Sequence, residues 1–361
     1  MRGAIHQFCA GFATGDAISN EALLLQKFIQ SLGIESEIFA EQFPDRDAVR
    51  VRHASKFRAT RDTILVYHHS IDTGFLARLQ GLPCKKILLY HNVTPPEYVL
   101  PYNRAFADRL RHARESLVPL KDAFDAVLAD SLYNAQDLHA MGFGDVQVLP
   151  VALQPLWQGH SGGAKHDRLT VLFVGRVFPN KRHQDLLKAF YFLKRIEPRA
   201  RLLLVGSFHP EMRGYTAELG NWMRELDLTD VEFTGMVTDE QVIESYLSAD
   251  VFLSMSEHEG FFVPLIESMH FGLPILAHKT SVIPETLGDS GVTFEHKEFA
   301  AIAEMIVELW KNQPLRDSVI QSQRIRAMDF ENRKTFDIFL RSIQAIDTDR
   351  LFIRHTAHNQ G

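Results

Sequence analysis

Short apolar runs alternate with amphipathic stretches along the whole chain, from its first residues onward. This alternation is typical of repeated strand and helix units that build a parallel sheet. In the first half it predicts strands at residues 4–8, 35–39, 63–67, 86–90, 126–129 and 146–150. In the second half it predicts strands at residues 169–174, 201–205, 231–234, 251–254, 274–277 and 292–294. Helices are predicted between the strands, and the chain is predicted to be helical from Pro314 to about Ile346.

A break in this rhythm near the middle of the chain predicts two domains. Residues 154–168 contain proline, glycines and polar side chains, and a fresh apolar strand follows them. Such a segment is typical of an interdomain linker, and 361 residues exceed the usual size of one core. We therefore predict an α/β fold of two doubly wound parallel sheets that face each other across a cleft, with ligands at the carboxyl ends of the strands. The final residues, HTAHNQG, are predicted to be a frayed tail.

The stretch SEHEGFFVPLIESMHFGLPILA carries two glutamates directly after a predicted strand. Proline is tolerated at the first helical position, so a helix is predicted from Pro264 to a stop near Gly272. Glu259 then lies on the preceding loop, and Glu267 lies in the first helical turn, where free backbone N–H groups can hold an anion. The two carboxylates could bind a ligand that has both hydroxyls and phosphates. The alternative is that Glu267 only complements the helix dipole and Glu259 is solvated.

Two further stretches follow strands and carry candidate phosphate-binding groups. Arg176 and Lys181 lie at a strand–helix junction in the second half, where a diphosphate would be a natural counter-charge. Gly15 and Asp16 follow the first strand, and a glycine-containing turn there lets the backbone approach phosphates. The alternatives are a solvated basic loop and a plain tight turn, since the second stretch lacks the G-x-G-x-x-G spacing.

Composition excludes several classes of protein. The formal net charge is −6, and no dense Lys/Arg block appears, which argues against a nucleic-acid partner. Cys9 and Cys84 are the only cysteines, so neither a disulfide framework nor a cysteine-rich metal site is expected. No run near twenty apolar residues occurs, and the first residues do not form a signal peptide. A cytoplasmic protein is therefore expected.

Taken together, these stretches resemble the retaining family 4 glycosyltransferases, which have the GT-B fold of two facing Rossmann-like domains. The resemblance covers nearly the whole chain, and its most specific part is the E-x7-E motif from Glu259 to Glu267. It implies an acceptor-side domain over residues 1–160 and a nucleotide-sugar donor domain over residues 161–330. A C-terminal helix and tail would occupy residues 331–361. One possible arrangement is that this helix packs back on the first domain.

The resemblance also implies roles for the acidic and basic residues. Glu259 would contact hydroxyls of the donor sugar, and Glu267 would hold the ribose of the nucleotide. Arg176 and Lys181 would bind the diphosphate and stabilise negative charge on the leaving group. His91 matches a histidine near the donor sugar, although a hydrogen-bonded histidine at a strand end is the alternative.

The remaining implied contacts come from two loops. Gly15 and Asp16 match the glycine-bearing loop that faces the diphosphate and the acceptor. Donor contacts are also implied for the residues between the two glutamates, namely Gly260, Phe261, Phe262 and Val263. The chain departs from the family pattern at Phe262 and Arg182, each of which stands where a glycine is usual.

The activity that the resemblance implies is transfer of a hexose with retention at the anomeric carbon. The preferred donor is GDP-mannose, and the acceptor would be a glycan or a lipid-linked saccharide in cell-surface polysaccharide or lipopolysaccharide synthesis. A UDP-sugar-dependent transferase of the same family and a non-catalytic nucleotide-sugar-binding scaffold are the alternatives. A dinucleotide oxidoreductase is disfavoured because G-x-G-x-x-G is absent.

Neither a cofactor nor a required metal is expected. Two D-x-D triplets, at residues 45–47 and 347–349, are interpreted as chance spacings on solvated segments. The segment 102–121 places Arg104, Arg109, Arg111 and Arg114 near apolar residues. An ordinary solvated helix face is the first interpretation of this segment, and peripheral binding to the inner face of a membrane is the alternative.

Overall fold

The computed structural model describes residues 3–71, 74–160 and 168–347. It divides the chain into two compact units. The first comprises the described residues of Met1–Val93, Arg109–Gln154 and Glu331–Gly361, and the second comprises those of Thr94–Asp108 and Pro155–Phe330. The first unit is therefore discontinuous in sequence.

The segment Thr94–Asp108 belongs with the second unit because its side chains bond and pack there. The hydroxyl of Tyr102 donates to Glu218 Oε2 at 2.7 Å. The ring of Phe106 lies 5.9 Å from the Phe178 ring and 5.1 Å from the His209 ring, measured between centroids. These contacts assign the segment to the second unit although it lies within the first half of the chain.

In its described residues the first unit holds a seven-stranded parallel sheet of order β3-β2-β1-β4-β5-β6-β7. Its strands are β1 (Ala4–Gly11), β2 (Ile38–Gln42), β3 (Arg52–His53), β4 (Thr63–His69), β5 (Lys85–Tyr90), β6 (Ala126–Ala129) and β7 (Gln147–Val148). The helices that begin in this half of the chain are α1 (Ala17–Ser31), α2 (Leu76–Leu79), α3 (Arg104–Glu115) and α4 (Leu132–Ala140). Each of the six strands predicted for this half overlaps an observed strand, although β2 begins three residues later than predicted. The strand β3 was not predicted because its two residues are exposed and polar.

In the second unit the described residues form a six-stranded parallel sheet of order β10-β9-β8-β11-β12-β13. Its strands are β8 (Thr170–Val174), β9 (Arg201–Val205), β10 (Val231–Gly235), β11 (Val251–Ser254), β12 (Ile275–His278) and β13 (Val292–Phe294). Its helices are α5 (His183–Ile196), α6 (Arg213–Glu225), α7 (Asp239–Leu247), α8 (Val263–Phe271), α9 (Ile283–Leu287), α10 (Phe299–Lys311) and α11 (Gln313–Ala327). The predicted α/β class with two parallel sheets is confirmed.

Both sheets contain a point at which the strand order reverses. In the first sheet β1 has β2 on one side and β4 on the other, and in the second sheet β8 lies between β9 and β11. The loops that leave neighbouring strands at such a point diverge to opposite faces and leave room for a ligand at the carboxyl edge. The loops after β8 and β11 carry Lys181 and Glu259, so this edge of the second sheet is where those side chains meet.

The last described helix, α12 (Asn332–Ile346), packs on the first unit. The Phe336 ring stacks on the Phe28 ring with centroids 4.6 Å apart, and Phe339 and Ile343 are fully buried in the core of that unit. At the start of the helix, the Asn332 side chain accepts from the backbone N–H of Leu153 and donates to its C=O, both at 2.7 Å. The tail HTAHNQG lies outside the described residues.

Truncation of Phe339 tests how far the first unit depends on α12. Phe339→Ala should lower the free energy of unfolding by about 3–5 kcal/mol, because it leaves a cavity at a fully buried site. Val49→Ala, at a side chain that is 90% exposed, is the control and should change it by less than about 0.5 kcal/mol. Urea unfolding followed by circular dichroism measures both, and an equally small change for Phe339→Ala would contradict the packing described.

Candidate functional site

The second sheet brings Lys181 and Glu259 together at its carboxyl edge. Lys181 ends the 3₁₀ turn Pro179–Lys181 that leads from β8 into α5, and Glu259 lies on the loop after β11. The Lys181 ammonium donates to Glu259 Oε2 in a charged hydrogen bond. The Lys181 side chain is 19% exposed and that of Glu259 is 5% exposed, so this ion pair is largely shielded from water. Shielding strengthens the attraction, and removal of either partner would leave a buried charge.

The second carboxylate oxygen of Glu259 has no partner. Glu259 Oε1 is buried and makes no hydrogen bond in the described part of the structure. Buried polar atoms without a partner are uncommon in native proteins, and each one calls for an explanation such as a missing ligand. A hydroxyl donor from a bound molecule would satisfy this oxygen.

Asn180 joins the two loops that carry the ion pair. Its side-chain amide donates to the His258 backbone carbonyl at 2.7 Å, and its backbone carbonyl accepts from the Glu257 N–H at 2.8 Å. Asn180 is buried, and its Oδ1 also lacks a partner among the described residues. The sequence analysis missed this residue, although an asparagine directly before the candidate lysine was a usable signal.

Glu267 does not lie in the first turn of its helix, so that prediction was wrong. The helix α8 begins at Val263, one residue before Pro264, and Glu267 is its fifth residue. The helix does end at Gly272, as predicted.

Burial and one tyrosine set the ionisation of Glu267. The Tyr246 hydroxyl donates to Glu267 Oε2 at 2.7 Å, and both side chains are buried. Burial raises the pKa of Glu267 to about 7, although the hydrogen bond from Tyr246 acts in the opposite direction. This carboxyl group therefore changes its charge near neutral pH.

Phe262 has the left-handed backbone conformation that the family's usual glycine would adopt without cost. Its φ is 61° and its ψ is 62°, and it directly precedes α8. Its buried ring lies 6.3 Å from the Phe173 ring and 6.1 Å from the Phe252 ring, and Lys181 Nζ lies 5.5 Å from its centroid. Burial of the ring thus offsets a strained backbone.

The other residues of this loop continue the path from Glu259 to the helix. Gly260 is half-buried, Phe261 is buried and packs edge-on against the Phe330 ring at 6.0 Å, and Val263 is the first helical residue. The candidate donor contacts between the two glutamates are therefore one continuous loop, anchored by aromatic side chains.

Arg182, the second departure from the family pattern, pairs with two other carboxylates. Its guanidinium contacts Asp185 at 2.9 Å and Glu257 at 3.2 Å, and the Lys297 ammonium contacts the same two carboxylates at 2.9 and 2.8 Å. Burial raises the pKa of Asp185, but the bonds from Arg182 and Lys297 lower this pKa overall. With Lys188, whose ammonium lies 3.7 Å from Asp185 Oδ1, Arg182 is thus part of a group of five charges.

Arg176 lies on the exposed start of the loop after β8. Gly175, directly before Arg176, lies close to Gly206, which follows β9. A side chain at Gly206 would not fit, because its Cβ would lie 2.2 Å from the Gly175 carbonyl oxygen. Gly206 therefore fixes how closely the ends of β8 and β9 approach, a role that the sequence analysis missed.

In the first unit, Gly15 and Asp16 form the turn between β1 and α1. Gly15 is exposed with φ 92°, and Asp16 caps α1 by accepting from the Ser19 N–H at 3.4 Å. Asp47 holds the same turn, since its carboxylate accepts from the Thr14 N–H at 3.2 Å and from the Thr14 hydroxyl at 2.6 Å. The first D-x-D triplet therefore anchors a loop. The second extends beyond the described residues.

His91 lies directly after β5, and both of its ring nitrogens are occupied. Nδ1 lies 2.9 Å from Asp130 Oδ2, and Nε2 lies 2.9 Å from Nδ1 of His68. Glu21, His68 and His91 each bring a ligand-type atom within 4.8 Å of the others. Because the imidazole nitrogens already bond to Gln7, to Asp130 and to each other, we interpret this group as a hydrogen-bond network.

Most of the second half of the chain matches a family model. Residues 160–326 match the model of the glycosyl transferases group 1 family. Over these residues the chain is similar to the group 1 glycosyl transferases. The match covers the candidate residues from Arg176 to Glu267, whereas Gly15, Asp16 and His91 lie outside it.

A relative shares sequence with about half of the chain, and solved structures share the fold over 95% of it. O-antigen chain mannosyltransferase B of Escherichia coli is 27% identical over 175 residues, which are 47% of this chain and 42% of that protein. This chain therefore matches less than half the length of that relative. Sucrose-phosphate synthase from Thermosynechococcus elongatus superposes with a TM-score of 0.74 at 16% identity, over 95% of this chain and 98% of the other.

A second solved structure gives the same fold. The Anabaena protein HepE was solved in complex with UDP-glucose. It superposes with a TM-score of 0.73 at 15% identity, over 95% of this chain and 100% of the other. This chain thus has the GT-B fold. Within the described residues, no helix combines the length and apolar character needed to cross a membrane.

Substitution of Phe262 tests whether its backbone conformation is strained. Phe262→Gly should be more stable than Phe262→Ala by about 1 kcal/mol, because only glycine adopts the left-handed conformation freely. The neighbour Phe261 is the matched control, because its φ is not positive. At that position, Phe261→Ala should be more stable than Phe261→Gly. Chemical unfolding of the four variants measures both differences, and the same order at both positions would contradict the strain.

Proposed function

We propose that this protein is a retaining glycosyltransferase that moves a hexose from a nucleotide sugar to a glycan or lipid-linked acceptor in cell-surface polysaccharide or lipopolysaccharide synthesis. The observation that carries the proposal is the buried pair of Lys181 and Glu259 at the carboxyl ends of parallel strands, within the matched family residues. One oxygen of Glu259 has no partner among the described residues, so the pair offers both a positive charge and a hydroxyl acceptor.

Lys181 and Arg176 are proposed to bind the donor diphosphate. Glu259 pairs with the Lys181 ammonium. A diphosphate would compete for that ammonium with a higher charge and with several acceptor oxygens. As the bond between sugar and phosphate breaks, negative charge accumulates on the leaving group, and fixed cations stabilise it most at that moment.

Glu259 is proposed to orient the donor sugar through its hydroxyls. A hydroxyl that donates to Oε1 would satisfy the buried oxygen that now lacks a partner. In the proposed reaction the acceptor oxygen bonds to the anomeric carbon as the bond to phosphate breaks, and the departing phosphate takes the acceptor proton. Glu259 forms no covalent bond with the sugar in this scheme, unlike the nucleophile of retaining hydrolases.

Glu267 is proposed to hold the ribose hydroxyls of the nucleotide, with Gly260, Phe261, Phe262 and Val263 lining the donor. Gly15 and Asp16 are proposed to face the diphosphate and the acceptor. His91 stays a prediction as a residue near the donor sugar, and its bonds to His68 and Asp130 favour a positioning role.

Two proposals concern the donor. GDP-mannose is preferred, and the relative named as a mannosyltransferase supports it. A UDP-sugar is the alternative, supported by the structural neighbour that was solved with UDP-glucose. We propose that no metal is required, because Arg176 and Lys181 can supply the positive charge that a metal otherwise gives.

Cytoplasmic location, with peripheral attachment to the inner face of a membrane, is part of the same proposal. On and near α3, Arg104, Arg109 and Arg111 are exposed, and the nearby Val118 is 40% exposed. Arg114 does not contribute to such a surface, because its guanidinium pairs with the Asp137 carboxylate.

Loss of the Lys181 charge tests the proposed function directly. With a nucleotide-sugar donor, Lys181→Ala should lower kcat/KM for transfer by about 10²–10³-fold, because one group that stabilises the leaving phosphate is removed. Lys311→Ala, at a side chain that is 57% exposed, is the matched control and should leave transfer unchanged. NMR of the product reports its anomeric configuration, and circular dichroism verifies that both variants fold.

Three outcomes would count against parts of this proposal. Unchanged transfer in Lys181→Ala would remove this lysine from the donor site. An inverted product would contradict retention. Binding of a nucleotide sugar without any turnover, across a panel of saccharide acceptors, would favour the scaffold alternative.

The ionisation of Glu267 predicts a pH dependence of nucleotide binding. Ribose hydroxyls donate best to a carboxylate, so affinity should rise as the pH increases through about 7, where Glu267 loses its proton. Tyr246→Phe removes the hydrogen bond that lowers the pKa, and the midpoint should move to higher pH. Titration calorimetry across this pH range measures the shift, with Tyr191→Phe as the control. A midpoint that stays in place or moves to lower pH would show that the Tyr246 bond does not set the ionisation.

A further inference from the structure

Four buried side chains form a continuous row across the first sheet, from β1 to the end of β6. Gln7 Oε1 lies 2.9 Å from His68 Nε2, His68 Nδ1 lies 2.9 Å from His91 Nε2, and His91 Nδ1 lies 2.9 Å from Asp130 Oδ2. None of the four residues is more than 9% exposed. The two imidazole rings are nearly coplanar, with 5° between their planes.

The two ends of the row determine where its protons lie. The Gln7 side-chain amide donates to the Ala22 carbonyl at 2.8 Å, and this bond turns Oε1 of the same amide toward His68. An amide oxygen only accepts, so His68 Nε2 must carry a proton. At the other end, an Asp130 carboxylate only accepts, so His91 Nδ1 must also carry a proton.

The centre of the row then lacks a donor if both rings are neutral. With protons on His68 Nε2 and His91 Nδ1, the nitrogens that face each other would both present lone pairs at 2.9 Å. A hydrogen bond at this distance requires one further proton between them. That proton converts one of the two rings to an imidazolium.

The surrounding charges favour His91 as the ring that carries it. Asp130 is in direct contact, and Glu21 Oε2 lies 3.7 Å from His91 Nδ1. Asp16, at the start of α1, adds further negative potential. Among the residues that the structure describes, no carboxylate bonds to His68, whose partners in the row are Gln7 and His91.

We propose that His91 is held as a buried imidazolium at neutral pH, and that Gln7 and Asp130 impose this state by fixing the protons at the two ends of the row. The positive charge ties β4, β5 and the residue that follows β6 together at their carboxyl ends. It also fixes the start of the next loop, where Asn92 has φ 70° and donates to Asn134 Oδ1 at 2.7 Å. His91 and its partners thus act as a pH-dependent lock on this edge of the first sheet.

The ionisation of the neighbouring groups agrees with this assignment. Burial lowers the pKa of His91, but Asp130, Glu21 and Asp16 together raise it overall, whereas burial and the charge of His91 hold the pKa of His68 well below its usual range. Burial raises the pKa of Glu21 to about 8, so Glu21 is mostly protonated at neutral pH, and Asp130 is the main carboxylate that faces His91. Burial also raises the pKa of Asp130, although the charge of His91 and its hydrogen bond act in the opposite direction. Because the His91 pKa is higher in the folded state than in the unfolded chain, the lock stabilises the fold at low pH and is lost as the pH rises through the folded value.

NMR of the imidazole nitrogens in the full-length protein, labelled with ¹⁵N-histidine, tests the proposal. One histidine, identified by its absence in His91→Gln, should show two protonated nitrogens at pH 7.5, a pH chosen about one unit above the ordinary histidine pKa. In Gln7→Leu the His68 tautomer is free to change, so that Nδ1 donates to a neutral His91. The proton affinity of His91 should then fall at least about tenfold, which is one pH unit.

A second variant covers the case in which Gln7→Leu does not fold. Asp130→Asn keeps an acceptor oxygen and removes the charge, and it should also lower the proton affinity of His91 at least about tenfold. A neutral His91 in the unsubstituted protein at pH 7.5 would overturn the proposal. So would a stoichiometric transition metal found by elemental analysis, because a metal between the rings would replace the proton. These measurements require neither a nucleotide sugar nor a saccharide acceptor. A negative result for the His91 proposal is therefore distinguishable from a failure of the proposed function.

Discussion

Parallel strands end at one edge of their sheet, and the candidate site depends on this constraint. Lys181 and Glu259 are 78 residues apart in sequence, yet they form an ion pair because β8 and β11 are neighbours in the sheet. The reversal of strand order at β8 sends the adjoining connections to opposite faces. The position between them is where a charged lysine and a buried carboxylate can face one ligand.

Loops at such an edge need their own anchors, and this chain builds them from buried polar and aromatic groups. Asn180 links the loop after β8 to the loop after β11 through two backbone groups. Phe262 accepts a strained backbone and buries its ring beneath the Lys181 ammonium. A glycine at this position would bring the backbone closer to a ligand, so the phenylalanine distinguishes this loop from the family pattern without removing a charged group.

The sequence predicted the strands well, because apolar runs are a local property. It failed where an outcome depends on tertiary placement. The start of α8 at Val263 follows from the left-handed Phe262, and the partner of Glu267, Tyr246, lies 21 residues earlier in sequence. The bond between His68 and His91 likewise joins two strands whose pairing the sequence alone does not specify. Such partners become visible only when the sheet order is known.

The central claim is that the edge of the second sheet binds the diphosphate of a nucleotide sugar. Titration calorimetry of the unsubstituted protein with GDP, UDP and ADP tests it most directly. The account predicts that one nucleoside diphosphate binds and that its sugar conjugate competes for the same site. Binding of none of the three to folded protein, at any pH from about 6 to 8 across the Glu267 pKa of about 7, would contradict it.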